Sequence, residues 1–301
     1  MNVDFLSSTQ GNATTLSYKD PSRYGGYEPN WIESLWLGLF DGGRNPMLVV
    51  TAVSFLMHEI VYFGRFLPFY AIDRIPYFRQ YKLQGGKEMT PSQFRKCFAL
   101  IAFSHCLVEL PMMFGFHPFA EAIGMRIIDI FPSWYTMVMQ VAIFFVFEDF
   151  FHYWMHRALH WGPLYRHIHK VHHEFPAPFG LTAEYAHPME ALILGTGTLS
   201  GPLLYLLATG DFHIVTMLVW TALRLMQAVD AHSGYDFPWS FRHIFPGWAG
   251  AEHHDYHHQA FIGNYSSSFR WWDDIFGTSD AYHRFRDRQQ KRAAEAHAKV
   301  E

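Results

Sequence analysis

The sequence predicts an all-α integral membrane helical bundle carrying a histidine-rich metal cap on its cytosolic side. Three observations carry that expectation. Half of the 301 residues are hydrophobic and 18% are aromatic, against 17% charged, a bias too apolar for an ordinary soluble enzyme. Several apolar runs are long enough to cross about 30 Å of hydrocarbon at about 1.5 Å per residue. Finally, eight of the 20 histidines stand in three tight groups: His152 and His156; His169, His172 and His173; His254, His257 and His258.

Composition also excludes function classes. A net charge of -4 and the lack of any basic stripe exclude a nucleic-acid binder. Cys97 and Cys106, nine residues apart in one apolar run, are placed for neither a disulfide nor a thiolate metal site. Met1 to Gln10 shows neither a basic n-region nor an apolar h-region, so no cleavable signal peptide is expected there.

Taken in order, residues 1–45 form a polar segment ending in a short amphipathic stretch, Trp31 to Phe40, expected at the membrane interface. The triplet Asn12-Ala13-Thr14 fits a glycosylation pattern of small weight. Transmembrane helices are expected within 46–147. The first run, Pro46 to Ile72, is interrupted by His58, Glu59 and Arg65, which should face protein or water rather than lipid. Arg74, Arg79, Lys82, Lys87, Arg95 and Lys96 against Asp73 and Glu88 mark the connector 73–96 as cytoplasmic. A second run, Cys97 to about Phe119, and a third, Phe131 to Phe147, bring the chain back to that side at His152.

Residues 148–283 form the expected catalytic region. Pro176 and Pro178 break helix after the second histidine group. A polar turn with Glu184 and His187-Pro188 leads into an apolar hairpin, 192–229, whose return places the third histidine group beside the first two. Gly195-Thr-Gly197 with Gly201 lacks the preceding strand and the spacing of a nucleotide loop; Gly197 and Gly201 instead suit close helix packing. Residues 284–301 read as a charged, solvated tail, with His297-Ala-Lys299-Val-Glu301 only loosely like a retrieval signal.

Residues three and four apart share a helix face, so each histidine group projects as a unit. Eight imidazoles exceed the four ligands that one structural zinc takes, and two metals are the economical reading. Imidazole suits zinc, copper, iron and nickel alike. Two irons in a nitrogen-rich shell beside apolar helices could activate dioxygen against an unactivated C–H bond, whereas zinc hydrolysis needs fewer ligands. Glu148 and Asp149 are candidate carboxylate ligands or, the favoured reading, partners that orient imidazole N–H groups. Single histidines in apolar surroundings, namely His58, His105, His117 and His213, are read as hydrogen-bonded core residues.

The order HxxxH, HxxHH, HxxHH with an apolar hairpin before the last resembles the fatty acid hydroxylase/sterol desaturase superfamily of membrane di-iron oxidases, and most closely its C-4 methylsterol oxidases. The resemblance covers about residues 45–280. It is carried by Tyr81-Lys-Leu-Gln84, His152-Tyr-Trp-Met-His156-Arg157, His169-Lys-Val-His-His173-Glu174 and Asp230-Ala-His232-Ser-Gly-Tyr-Asp-Phe-Pro238. His253-His-Asp-Tyr-His-His258, Phe261-Ile-Gly-Asn-Tyr265 and Trp272-Asp-Asp-Ile-Phe-Gly-Thr278 complete it.

That resemblance implies an endoplasmic reticulum enzyme using O2 to oxidise a 4-methyl group of a 4,4-dimethylsterol through alcohol and aldehyde to the carboxylate. It implies two iron ions on the eight histidines, with His232 a further ligand, His187 a weaker one and His253 a neighbour of the ligands. Electrons would come from NAD(P)H through cytochrome b5 or an equivalent carrier, and other sterol C-4 demethylation enzymes would be partners. The alternatives are a fatty-acyl or sphingoid hydroxylase or a sterol desaturase with the same groups, and, outside enzymes, a histidine-rich metal transporter or metal-binding protein. A transporter should hold its ligands at the bilayer midplane, whereas these groups fall outside the long apolar runs.

Overall fold

The computed structural model describes residues 17–298. The Asn12 triplet and the end of the tail, Lys299 to Glu301, lie outside them. Five helices are long and apolar enough to cross a membrane: α2 (Pro46–Ile72), α3 (Pro91–Ala122), α4 (Trp134–Leu159), α5 (Pro188–Thr209) and α6 (Ile214–Ala231). They follow a short α1 (Trp31–Gly38) and precede α7 (Gly250–Ala260) and α8 (Asp280–His297). The only strand-like pairings among the described residues are isolated bridges. The chain is an all-α membrane bundle.

Local sequence sets the helix ends. Asn30 caps α1 with a full capping box to Glu33, Asn45 caps α2 ahead of Pro46, and Thr90 caps α3 ahead of Pro91; each side-chain oxygen takes an otherwise unpaired first-turn N–H. Gly210, at φ 70°, closes α5, and His213 caps α6. Outward residues such as Leu56, Ile60, Leu107, Val138, Ile143 and Leu207 remain exposed, the surface expected of helices that meet lipid rather than water.

Two aromatic-rich cores occupy opposite ends of the bundle. One joins Trp36, Leu37 and Phe40 of α1 to Ile127, Phe144, Phe212 and Trp220. Amphipathic α1 thus packs its Trp36 face onto protein, with the Trp36 indole donating to Ile127 O at 2.8 Å, and turns Trp31 and Leu35 outward. The other core joins Phe66, Phe69 and Ile101 to Phe175, Phe179, Tyr235 and Phe237. The connector 73–96 docks at this second end. Leu83 N donates to Gly234 O and Asp236 N to Tyr81 O, while the Gln84 amide reaches Pro176 O and Asp255 Oδ1.

The costly charges in α2 find protein partners, as polar groups in lipid must. Arg65 makes a two-pronged contact with Asp230 of α6, at 2.6 and 2.7 Å. His58 and Glu59 join a cluster with α3 described below. Cys97 and Cys106 are both free.

Two helices show features beyond the sequence reading. Helix α4 continues past the apolar run ending at Phe147 to Leu159 and carries His152 and His156 on its last turns. Helix α3 contains a π-turn, His105–Glu109.

Helices α4 and α5 pack closely, and the glycines permit it. A Cβ at Gly197 would lie 2.5 Å from Phe151 Cδ1, and one at Gly201 3.0 Å from Phe147 Cδ1, whereas at Gly195 the nearest atom is Met112 Cε at 3.8 Å. Gly197→Val is therefore expected to destabilise the detergent-solubilised protein by about 1–3 kcal/mol, read as a lower thermal midpoint, with Gly195→Ala close to wild type. Equal midpoints for the two variants would refute the close-packing role of Gly197.

Candidate metal centre

The imidazoles of the cap assemble into two groups. His156, His160, His169, His173 and His257 form one; His172, His232, His254 and His258 form the other. Each HxxHH segment serves both groups. His169 and His173 join the first while His172 joins the second; His254 and His258 join the second while His257 joins the first.

Local structure explains the division. His254, His257 and His258 lie on α7, where positions i and i+4 lean to one side of the facing direction and i+3 to the other. His169 to Glu174 form a 3-10 turn rather than an α-helix, entered through a break at Ile168 after the short helix Gly162–His167. In that turn His169 and His172 stack with ring centroids 5.5 Å apart, and His173 projects beside them.

Six of the nine rings are anchored from behind, whereas His173 Nδ1 meets no partner. His156 Nδ1 donates to Tyr265 O (2.9 Å), His172 to Tyr185 O (3.0 Å), His232 to Ala228 O (2.8 Å), His257 to Gly263 O (2.6 Å) and His258 to Phe175 O (3.1 Å). His169 Nδ1 donates to the buried Glu190 carboxylate at 2.8 Å. With the proton fixed on Nδ1, each Nε2 presents a lone pair. Those lone pairs converge. Nε2 of His156 and His169 lie 3.1 Å apart, as do those of His254 and His258, and those of His172 and His232 lie 3.3 Å apart.

Two proton-less nitrogens repel at that distance unless a cation stands between them. Ligands about 2.0–2.1 Å from a tetrahedral metal are about 3.3 Å from one another, so the spacing fits metal coordination. Burial, with the charge of neighbouring imidazoles, holds His169, His254, His257 and His258 well below the ordinary imidazole value. Burial likewise brings His160 and His172 down to about 4. All are neutral at physiological pH, the form that binds metal.

The remaining candidates are placed elsewhere. His152 stands outside both groups, its Nδ1 3.4 Å from Glu148, which also pairs with Arg224 Nε at 2.9 Å. His160, which the sequence reading passed over, occupies the first group with its Nε2 3.2 Å from that of His257. The HxxxH pair brought into this group is thus His156 and His160. Asp149 takes backbone N–H groups of Ser267, Ser268 and Phe269, so it braces the loop. Glu190, not Glu148 or Asp149, is the carboxylate behind a clustered imidazole. His187 caps α5, His253 lies 3.5 Å from Asp273, and His213 holds Val215 N and Asp129 O.

Loop chemistry explains the surrounding motifs. Gly263 needs its positive φ of 77°, and a Cβ there would strike Thr278 O at 2.5 Å; its carbonyl orients His257. Asp273 accepts from Tyr265 N and Ser266 N, which fixes the Tyr265 carbonyl under His156. Both groups open onto a cavity of about 260 Å³ walled by Met57, Met112, Met113, Leu194, Met217 and Leu225 among others. Polar residues Glu148, His152 and Arg224 also line it.

Residues 141–278 match the family model described as fatty acid hydroxylase. The chain is 50% identical to methylsterol monooxygenase erg25B of Aspergillus fumigatus, over 91% of this chain and 92% of that one. It is 48% identical to C-4 methylsterol oxidase erg25 of Schizosaccharomyces pombe, over 90% and 91%, and 40% identical to methylsterol monooxygenase 1 of Rattus norvegicus, over 86% and 87%. No solved structure matches the chain significantly.

His160→Ala is expected to lower the metal bound per purified chain, whereas His152→Ala should bind as much as wild type, both read by elemental mass spectrometry. The reverse pattern would return the first pair to His152 and His156.

Proposed function

The chain belongs to the fatty acid hydroxylase family, in its methylsterol monooxygenase branch, and from that premise we propose that it oxidises the C-4 methyl group of 4,4-dimethylsterols. The observation that carries this reading is the convergence of nine imidazoles, in two groups, at the end of an apolar cavity between membrane helices. Relatives named for methylsterol oxidation support the substrate.

We assign two iron ions to the site, one to each group. His156, His160, His169, His173 and His257 would hold one, and His172, His232, His254 and His258 the other. Bound there, iron supplies activation of O2 for attack on an unactivated C–H bond.

The chain's own residues do the rest. The Met- and Leu-lined wall accepts an apolar ring system and excludes water from the imidazole end. In a 4,4-dimethylsterol the 3-hydroxyl neighbours the methyl groups, so the reacting end of the substrate is its polar end. His152, Glu148 and Arg224 give the cavity a matching polar patch. Each oxidation inserts one oxygen atom of O2 and reduces the other to water with an electron pair and two protons, taking methyl to alcohol, alcohol to an aldehyde hydrate that loses water, and aldehyde to carboxylate. The electrons come from NAD(P)H through cytochrome b5 or an equivalent carrier, and other sterol C-4 demethylation enzymes receive the product.

The location is the endoplasmic reticulum membrane, with the cap in the cytosol. The basic connector 73–96 docks at the same bundle end as the cap, and Lys/Arg-rich connectors stay cytoplasmic. Protease added to sealed microsomes is expected to cut near Arg79; protection there, with cleavage only after the membrane is opened, would invert the orientation.

The function itself is tested with His172→Ala in cells that rely on the variant. His172 binds in the four-histidine group, and Ala removes its imidazole without penalising the backbone. The expected result is accumulation of 4,4-dimethylsterol at near-normal protein abundance. Normal methyl oxidation by this variant would sink the metal-centre reading, and normal sterols accompanied by a hydroxylated acyl product lost in the variant would move the substrate to lipid chains.

A further inference from the structure

We propose that His58, His105, Glu109 and Glu184 form a third metal site, for a divalent ion of the zinc class, in the wall of the cavity and apart from the two histidine groups. The sequence reading left His58 and His105 as core residues, and Glu184, which meets both, is far away along the chain. The structure gathers all four ligand atoms within 4.8 Å of one another.

The distances suit coordination. His58 Nε2 lies 3.0 Å from Glu109 Oε2 and 3.2 Å from Glu184 Oε1. His105 Nε2 lies 2.9 Å from Glu184 Oε2 and 3.9 Å from Glu109 Oε1. These span the edge of about 3.3 Å expected between ligands of a tetrahedral zinc. Two imidazoles and two carboxylates are within its ordinary ligand chemistry.

The backing repeats the arrangement of the main centre. Both Nδ1 atoms face Glu59 Oε1, His58 at 3.2 Å and His105 at 2.7 Å. One carboxylate thereby fixes both tautomers and turns both Nε2 lone pairs toward Glu109 and Glu184, the outer-shell pattern of metal-bound histidine. Charge argues the same way. Glu59, Glu109 and Glu184 bring three negative charges to two imidazoles that are 3% and 1% exposed. Protonating both rings would set two imidazolium ions with centroids 4.9 Å apart, whereas one divalent ion offsets the two ligand carboxylates, Glu109 and Glu184, and leaves the rings neutral.

Backbone geometry adds an independent sign. The π-turn in α3 spans His105–Glu109 and so brings both of its end residues to the cluster. Such turns interrupt helices mostly where a functional group must be re-aimed. An ion here would tie α2 and α3 to the turn Gly180–Glu184. Tyr185, the next residue, orients His172 through its carbonyl. The site is thus a clamp that positions one side of the main centre.

The test uses full-length protein, stripped of metal in detergent and reloaded with Zn²⁺. About three ions per chain are expected in wild type and about two in His105→Ala and in Glu109→Gln. Wild type saturating at about two, or variants binding as much as wild type, would overturn the site. Should the variants fail to fold, anomalous scattering from zinc-loaded wild type decides: a peak between His58 Nε2 and Glu184 is expected, and no peak there refutes the proposal. The main centre fails separately, on His172→Ala.

Discussion

Everything in the cap follows from one constraint: imidazole lone pairs must be held unprotonated and aimed at a shared point. A buried ring with a free Nδ1 could swap tautomers or rotate. Donation of that N–H to a fixed acceptor prevents both. Five acceptors are backbone carbonyls, at Phe175, Tyr185, Ala228, Gly263 and Tyr265. None belongs to a histidine box. The loops between boxes are therefore part of the centre, and their odd features, such as the positive φ of Gly263 and the buried Asp149 and Asp273 that gather backbone N–H groups, serve to place carbonyls.

The membrane imposes the complementary constraint. Charges on spanning helices persist only when paired, and here two such pairings also brace the site. Arg65 grips Asp230, two residues before His232. Glu184 meets His58 and His105 one residue before the carbonyl that orients His172. The polar residues of α2 and α3 connect spanning helices to the cap, so lipid-facing and catalytic architecture are joined by the same contacts.

Much of this was legible in the sequence, for identifiable reasons. Apolar runs longer than the bilayer announce themselves by length, and the boxes by spacing. Gly197 and Gly201 showed where helices touch because no other residue allows such approach. His160 was not singled out because His152, His156 and His160 all recur at four-residue intervals on one face; periodicity cannot say which of them gather with the later boxes, and in the fold His152 lines the cavity while His160 lies beside His257 and Tyr265. Glu190 reads in sequence as the first-turn acid of α5. His105 and Glu109 were hidden because a π-turn abandons the 3.6-residue period on which face assignments rest.

The division of each HxxHH segment between two groups has a folding consequence. The first group needs His169 and His173 from one segment and His257 from the other; the second needs His172 from one and His254 and His258 from the other. Neither group can be completed by a single segment, or before the hairpin α5–α6 has returned α7 to the 3-10 turn. Ligands that close so long a loop exist together only in the folded cap, so the free energy of the proposed metal binding would also be free energy of assembly. Without cations, the rings whose Nδ1 protons are fixed, such as His156 beside His169 and His172 beside His232, would bury mutually repelling lone pairs. The bundle can form from its apolar helices, whereas the proposed ions and the two boxes would complete the cap together.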